Sequence, residues 1–305
     1  MKNICFLTSS FNKKNIFGLK LYKKNKIQLK FNKTNKTLNS KELKKIINLN
    51  TIGILSGNEI LDEKSLKICK NLKVISRCGV GIDNIDTKYA KIKKIKIKNT
   101  PLIPSVATAE LTVIAVGVLI KNLYENIKFL KEKKWHKIKG RNLIGKNVGV
   151  IGYGNVGYKV SKIFSILGCN LLINDIYFKN NKLKKTPLSI LMRKSDIIVI
   201  TCSLTPKTKN LINKNNLRFL KKNCILVNTS RGGIINEKDL FSFLKKNKYA
   251  KAFSDCFAAE PYSGKLLNLT NFYSTAHTGS YTKETRDEME KSSSFNLFEC
   301  VKKYI

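Results

Sequence analysis

Apolar and polar positions alternate along this chain in two successive blocks with the same rhythm. In the first block, apolar runs at 3–8, 26–31, 51–55, 73–76 and 95–98 read as strands. Charged stretches with helical spacing lie between them at 40–48 and 62–70, the second opened by Asp62 as a cap. Pro101 and Pro104 then interrupt the pattern ahead of an apolar helix that starts near Ser105 and runs past Ile120. The second block opens on the strand 147–151 and repeats through 170–174, 196–201, 224–228, 249–254 and 272–275. The last stretch, 281–305, has helical spacing with charge on one side and is expected to return to the first block. The pattern predicts an α/β protein of two doubly wound domains with a cleft between them, the division falling at 1–98 plus 284–305 and 99–283. In such sheets ligands bind at the carboxyl ends of the parallel strands.

Composition narrows the partners. The formal charge of +39 invites a polyanion, since a basic face attracts phosphates. Yet only 6 of the 59 basic residues are arginine, 33 asparagines accompany the lysines, and the lysines run from one end of the chain to the other. That spread predicts solvated faces and no specific nucleic-acid site. Eight cysteines occur without a C-x-x-C pair, several of them in apolar runs, and read as reduced thiols of a cytoplasmic protein. With two histidines and no cysteine cluster, no metal site is expected. The longest apolar run, 111–120, falls far short of the roughly 20 residues a bilayer requires, so no membrane partner is expected.

The run VGVIGYGNVGYKV at 148–160 carries Gly152, Gly154 and Gly157 in G-x-G-x-x-G spacing, with Asn155 and Val156 between the last two. It follows a strand, opens a helix, and precedes Asp175 by the distance expected of a Rossmann-like dinucleotide cradle. Asp175 would accept hydrogen bonds from ribose hydroxyls and repel a 2′-phosphate, which favours NAD over NADP. The nearby Lys179 is the residue that could reverse that preference. A glycine-rich turn serving another nucleotide is the alternative reading.

Further along stand NTSRGG at 228–233, DCFAAEP at 255–261 and AHTGSYTKE at 276–284. With SRCGVGIDNID at 76–86, NTPLIPSVATAELT at 99–112 and SLTPKTKNLI at 203–212, these motifs resemble, in order, the D-2-hydroxyacid dehydrogenase family, in particular its phosphoglycerate dehydrogenase-like members. The resemblance covers nearly everything from Ser56 onward and little of the first 50 residues. It implies a substrate-binding, flavodoxin-like domain at 1–98 plus 284–305, an NAD-binding domain at 99–283, and a homodimer formed through the helix after Pro104.

The same resemblance assigns roles. His277 matches the acid/base that exchanges the hydroxyl proton as hydride passes to or from the nicotinamide, chemistry suited to imidazole near neutral pH. Glu260 matches the carboxylate paired with it. Arg231 matches the arginine whose planar fork holds the substrate carboxylate and polarises the C2 oxygen. Asp255 matches the residue holding the nicotinamide carboxamide, and Cys202, Thr229, Ser230 and Gly279 fall with the cofactor contacts, as do Arg231 and His277. Ser56, Gly79, Val80 and Gly81 match the substrate side, the amides of 79–81 cradling a carboxylate. Trp135 and His136 read as a packing pair.

Departures concern the substrate. Leu55 stands where phosphoglycerate dehydrogenases carry a phosphate-holding arginine, Pro104 where an asparagine is expected, and Thr201 and Ser203 where many relatives have His and Pro. Surrounding lysines could supply a looser phosphate site. The expected activity is therefore phosphoglycerate dehydrogenase-like, with a place in serine biosynthesis, or reduction of hydroxypyruvate or glyoxylate. Serine-type feedback control is not expected. A reading from another class is an NAD(H)-sensing corepressor-like protein, which the same fold also serves.

Overall fold

A computed structural model describes residues 1–9, 11–34, 36–177 and 185–305. The described residues divide into two compact units, Met1–Pro104 with Thr282–Ile305, and Ser105–Tyr281.

The first unit holds strands β1 (Asn3–Phe6), β2 (Gln28–Phe31), β3 (Thr51–Ser56), β4 (Val74–Arg77) and β5 (Lys96–Lys98) in the all-parallel order β2-β1-β3-β4-β5. This is the flavodoxin-like order, with its topological switch between β1 and β3. Side chains alternate between the sheet's faces, and both faces are covered. Along β1, Ile4 and Phe6 join one core cluster and Cys5 and Leu7 the other. That double burial accounts for the apolar-rich sequences of the inner strands β1, β3 and β4, while the edge strands β2 and β5 keep Gln28, Lys30, Lys96 and Lys98 at least partly exposed. The C-terminal helix Lys283–Val301 lies over β3, where a side-chain carbon on Gly53 would stand 3.0 Å from Leu297. The close approach needs glycine, and it returns the end of the chain to the first sheet.

The second unit holds β6 (Asn147–Ile151), β7 (Asn170–Asn174), β8 (Ile197–Ile200), β9 (Ile225–Asn228), β10 (Lys251–Ser254) and β11 (Phe272–Ser274), also all parallel, in the order β11-β10-β9-β8-β6-β7. A single bridge from Ile173 to Lys185 extends the edge beyond β7. In β8, Ile198 and Ile200 enter one cluster and Ile197 and Val199 the opposite one, each fully buried. Each such side chain contributes roughly 1.5–3 kcal/mol on leaving water. The helix Ser105–Ile120 brings Ala109, Ala115, Val116 and Leu119 into the cluster that holds Val160 and Phe164 of the helix Asn155–Ile166. Among the described residues, no single helix is long and apolar enough to cross a membrane.

Two sequence expectations shift. Residues 99–104, expected with the second unit, belong to the first: Thr100 N–H donates to the Gly79 carbonyl (3.0 Å) and its hydroxyl accepts from Gly79 N–H (2.9 Å), which fixes the segment to the end of β4. Thr282 and Lys283 likewise fall with the first unit, as start of its C-terminal helix. Trp135 does not pack; it is 84% exposed, and His136 alone meets Phe129 edge-on at 4.8 Å.

Candidate active site

The glycine loop follows directly from β6. Gly152 adopts φ 96°, and a side-chain carbon there would stand 2.4 Å from the Cys202 amide nitrogen. Both facts demand glycine. At Gly157 such a carbon would come within 2.0 Å of the Gly152 oxygen. Gly154 differs, since a carbon added there meets nothing within 4 Å. It is also the N-cap of the helix Asn155–Ile166 and supplies no capping side chain. The space beside Gly154 is thus open at the positive end of a helix whose first turn includes Asn155 and Val156, which leaves room for a pyrophosphate. Asp175, just past β7, is fixed by two amides: Tyr153 N–H donates to Oδ2 (2.7 Å) and Tyr177 N–H to Oδ1 (2.6 Å). Its charge thus stands beside the loop. Cys202 is half-buried, and burial pushes its thiol up to about 11, so it stays neutral at physiological pH. Lys179 lies outside the described residues.

The three strand-end loops after β9, β10 and β11 carry the remaining candidates. Asn228, the last residue of β9, is 1% exposed and folds the first loop around its carboxamide. Its Oδ1 accepts from the Ser230 N–H (3.1 Å) and hydroxyl (2.9 Å), and its Nδ2 donates to the Arg231 carbonyl (2.9 Å). Arg231 Nη1 donates to the Ser230 carbonyl (2.8 Å), and Thr229 shares a 2.6 Å hydroxyl contact with Thr112. Gly232 lies under the second loop, where a side-chain carbon would coincide with the Phe257 backbone. Glu237 fastens that loop by accepting from the Ala258 N–H (2.8 Å).

Glu260 and His277 meet across the second and third loops. His277 Nδ1 lies 2.9 Å from Oε2 and 3.1 Å from Oε1 of Glu260, while the Phe257 N–H donates to Oε1 (3.0 Å). Partial burial alone would raise the Glu260 carboxyl. The His277 hydrogen bond and charge, the Phe257 amide and the nearby Arg231 guanidinium outweigh it and hold the group below the usual carboxylate range. An Nδ1–H directed at that carboxylate leaves Nε2 as the nitrogen able to exchange a proton.

His277 itself has φ 57°, a left-handed conformation that disfavours a residue with a side chain. Asp255 holds it there. The Asp255 carbonyl accepts from His277 N–H (2.8 Å), Oδ1 accepts from the Thr275 hydroxyl (2.5 Å) and Thr278 N–H (2.7 Å), and Oδ2 accepts from Gly279 N–H (2.8 Å). Asp255 is 2% exposed, so its carboxylate serves first the loop that carries His277.

The second unit thus brings Arg231, Glu260, His277 and Asp255 to one set of strand ends, with the glycine loop, Cys202, Thr229, Ser230 and Gly279 around the same sheet edge. The first unit treats its candidates differently. β3 runs one residue further than the apolar pattern predicts, and Ser56 pairs with Arg77 inside the sheet. Its hydroxyl is fully buried and does not reach the loop surface. Gly79 N–H is already engaged by Thr100 and by the Arg77 carbonyl, which leaves the amides of Val80 and Gly81 for an anion. Sequence reasoning missed Asn228, Glu237, Thr275 and Thr278, and also Thr201, whose hydroxyl donates to the Gly152 oxygen (2.6 Å). Asn228, Thr201, Thr275 and Thr278 are short polar residues at strand ends or in the loops that follow them, where a side chain can replace a missing backbone partner, and Glu237 opens the helix Glu237–Lys246. Among the described residues, no group of His, Cys, Asp or Glu is arranged to hold a metal ion.

The family model of the D-isomer specific 2-hydroxyacid dehydrogenase NAD binding domain matches residues 113–279. A D-3-phosphoglycerate dehydrogenase of Methanocaldococcus jannaschii is 34% identical over 272 residues, covering 86% of this chain and 51% of the relative. A hydroxypyruvate reductase of Thermotoga maritima is 34% identical over 262 residues, covering 83% of this chain and 85% of the relative. This chain therefore spans about half the length of the first relative and most of the second. The crystal structure of a D-lactate dehydrogenase from Aquifex aeolicus complexed with NAD and lactic acid superposes with a TM-score of 0.86, at 23% identity, over 99% of this chain and 96% of the other, a likeness of fold. With the glycine loop and the Arg231, Glu260 and His277 loops in one unit, the chain belongs to the D-isomer specific 2-hydroxyacid dehydrogenase family, and residues 113–279 are its NAD-binding domain.

Proposed function

We propose that the protein is an NAD-dependent oxidoreductase that interconverts a D-2-hydroxy acid and its 2-keto acid. The observation that carries this reading is the Glu260–His277 pair, 2.9 Å apart beside Arg231 and held by loops that leave His277 Nε2 uncommitted to the carboxylate. NAD, when bound, accepts or gives the hydride. The chain's own residues supply the rest. In the reducing direction, protonated His277 gives its Nε2 proton to the C2 oxygen as that oxygen gains charge, and Glu260 stabilises the imidazolium before the transfer. In the oxidising direction the neutral ring takes the hydroxyl proton. Arg231 engages the substrate carboxylate through its planar fork. The amides at Gly154–Val156 and the carboxylate of Asp175 favour NAD over NADP.

The candidate acids are 3-phosphohydroxypyruvate, hydroxypyruvate and glyoxylate, which follow from the family and from the two relatives of equal identity. The homodimer proposal rests on the helix Ser105–Ile120 and the helix after it, Leu123–Lys131, which leave Ile114, Tyr124 and Leu130 more than half exposed. A panel of 2-keto acids with NADH, followed by cofactor absorbance, tests the activity. Steady turnover of at least one supports it; NADH binding without turnover of any favours a sensor of the corepressor kind.

A further inference from the structure

One peptide unit of the glycine loop is held from both sides. Gly152, at φ 96°, turns its carbonyl against Gly157, where an added side-chain carbon would meet that oxygen at 2.0 Å and the Thr201 hydroxyl at 2.8 Å. The Thr201 hydroxyl donates to this carbonyl at 2.6 Å and stands 3.4 Å from the Ile151 oxygen, so its single proton goes to Gly152. On the opposite edge of the same peptide unit, the Tyr153 N–H donates to Asp175 Oδ2 (2.7 Å). A peptide unit is planar, with its carbonyl and N–H pointing in opposite directions. Fixing the oxygen therefore fixes the line along which the N–H meets Asp175.

The Asp175 carboxylate depends on that line. Its two oxygens each take one amide, Tyr153 at 2.7 Å and Tyr177 at 2.6 Å, and each keeps lone pairs for a further donor such as a ribose hydroxyl. The Tyr177 amide belongs to the turn that carries Asp175 itself. The Tyr153 amide comes from the glycine loop, so it is the bond that sets the carboxylate relative to the cradle. Thr201 is anchored in turn at the end of β8, where its N–H donates to the Ile151 carbonyl (2.9 Å). A relay of side chain, peptide and side chain thus joins the ends of β8, β6 and β7.

We infer that Thr201 is a positioning residue for cofactor choice, aiming Asp175 through the Gly152–Tyr153 peptide. The inference rests on the reading of Asp175 as the group that favours NAD. Valine at 201 keeps the branched shape and removes the donor. The carbonyl of the buried Gly152 then lacks its partner, and rotation of the peptide toward another donor draws the Tyr153 N–H off Asp175.

The test measures Kd for NADH and for NADPH by nicotinamide fluorescence, without substrate. Thr201→Val should narrow the preference for NADH by about 10-fold, the scale lost when a buried acceptor is left unpaired. Thr201→Ala, which removes the hydroxyl without bulk against Gly157, should give the same result, and Thr201→Ser, which keeps the hydroxyl, should restore the parent ratio. In an Asp175→Ala background, Thr201→Val should change the ratio by less than about 2-fold, as expected of two residues acting in series. An unchanged ratio in Thr201→Val and Thr201→Ala, beside a relaxed one in Asp175→Ala, overturns the inference while the reading of Asp175 stands. An undiminished effect of Thr201→Val in the Asp175→Ala background overturns it as well. Equal affinity of the unaltered protein for NADH and NADPH removes the reading of Asp175 and this inference with it.

Discussion

The two sheets end in loops that are tied alike and surfaced differently. In the second unit, the loops after β9, β10 and β11 are fixed by buried polar side chains that reach backbone groups: Asn228 folds the arginine loop, Glu237 fastens the next, and Asp255 receives donors from Thr275, Thr278 and Gly279. In the first unit the loops after β3, β4 and β5 are likewise tied by side chains, Asn84 to the Gly57 carbonyl and Asn99 to the Val80 carbonyl, but they present apolar side chains outward. Proton and hydride transfer demand groups held within fractions of an ångström, which dense side-chain-to-backbone bonding provides. The contrast reaches the composition: segments 229–236, 255–264 and 275–282 contain no lysine, while the helix Glu237–Lys246 between the first two contains three.

Breaking the rigid side should have the largest effects. His277→Ala and Arg231→Ala should each lower kcat/KM by roughly 1,000-fold or more, the range lost with a general acid or a charge-assisted anchor. NADH affinity, followed by fluorescence, should stay essentially unchanged; retained activity in both variants would refute the site.

Asp255 sharpens the comparison further. If it acts through the loop it holds, Asp255→Ala should lower kcat by about 100-fold, as expected when a proton donor is displaced by about an ångström. KM for NADH would move little, and Asp255→Asn, which keeps one acceptor oxygen, should recover part of the loss. A rise in KM for NADH with kcat preserved would assign Asp255 to the carboxamide alone.

Glu260→Gln should cost less, about 10-fold in kcat/KM for reduction, and move the pH profile toward lower pH, because protonated His277 loses the anion that favours it. The sign for stability follows from the same pair. Glu260 is held below its ordinary range, so its contribution is present above that range and is lost as pH falls through the lowered value. Acid denaturation of Glu260→Gln, compared with the parent, checks this; a variant that becomes less stable only at alkaline pH would contradict it. The smallest effect is expected at Asp175, where Asp175→Ala should bring turnover with NADPH closer to that with NADH, measured as a ratio of kcat/KM.

The fold was legible because its inner strands are buried on both faces. Runs such as Ile197–Ile200 leave no other reading once flanked by turn residues. Boundaries were less legible, since the fate of 99–104 depends on Thr100 meeting Gly79, a contact between residues far apart in sequence. The three candidate catalytic residues were legible by their motifs. The residues that position them were not: Asn228, Thr275 and Thr278 resemble any other short polar residue until the loops close around them. The burial of Ser56 was not legible, because β3 extends one residue beyond the apolar run and takes that residue into the sheet.

The central claim is that these loops arrange a hydride transfer with a proton supplied by His277. It is tested most directly with NADH deuterated at the transferring position of the nicotinamide and 2-oxobutyrate or glyoxylate as acceptor, with the product read by mass spectrometry and chiral separation. The account predicts one deuterium at C2 of the hydroxy acid, the D-enantiomer wherever C2 is a stereocentre, and loss of that product in His277→Ala. Bound NADH with no deuterium in any product, or an equal yield from His277→Ala, would contradict it.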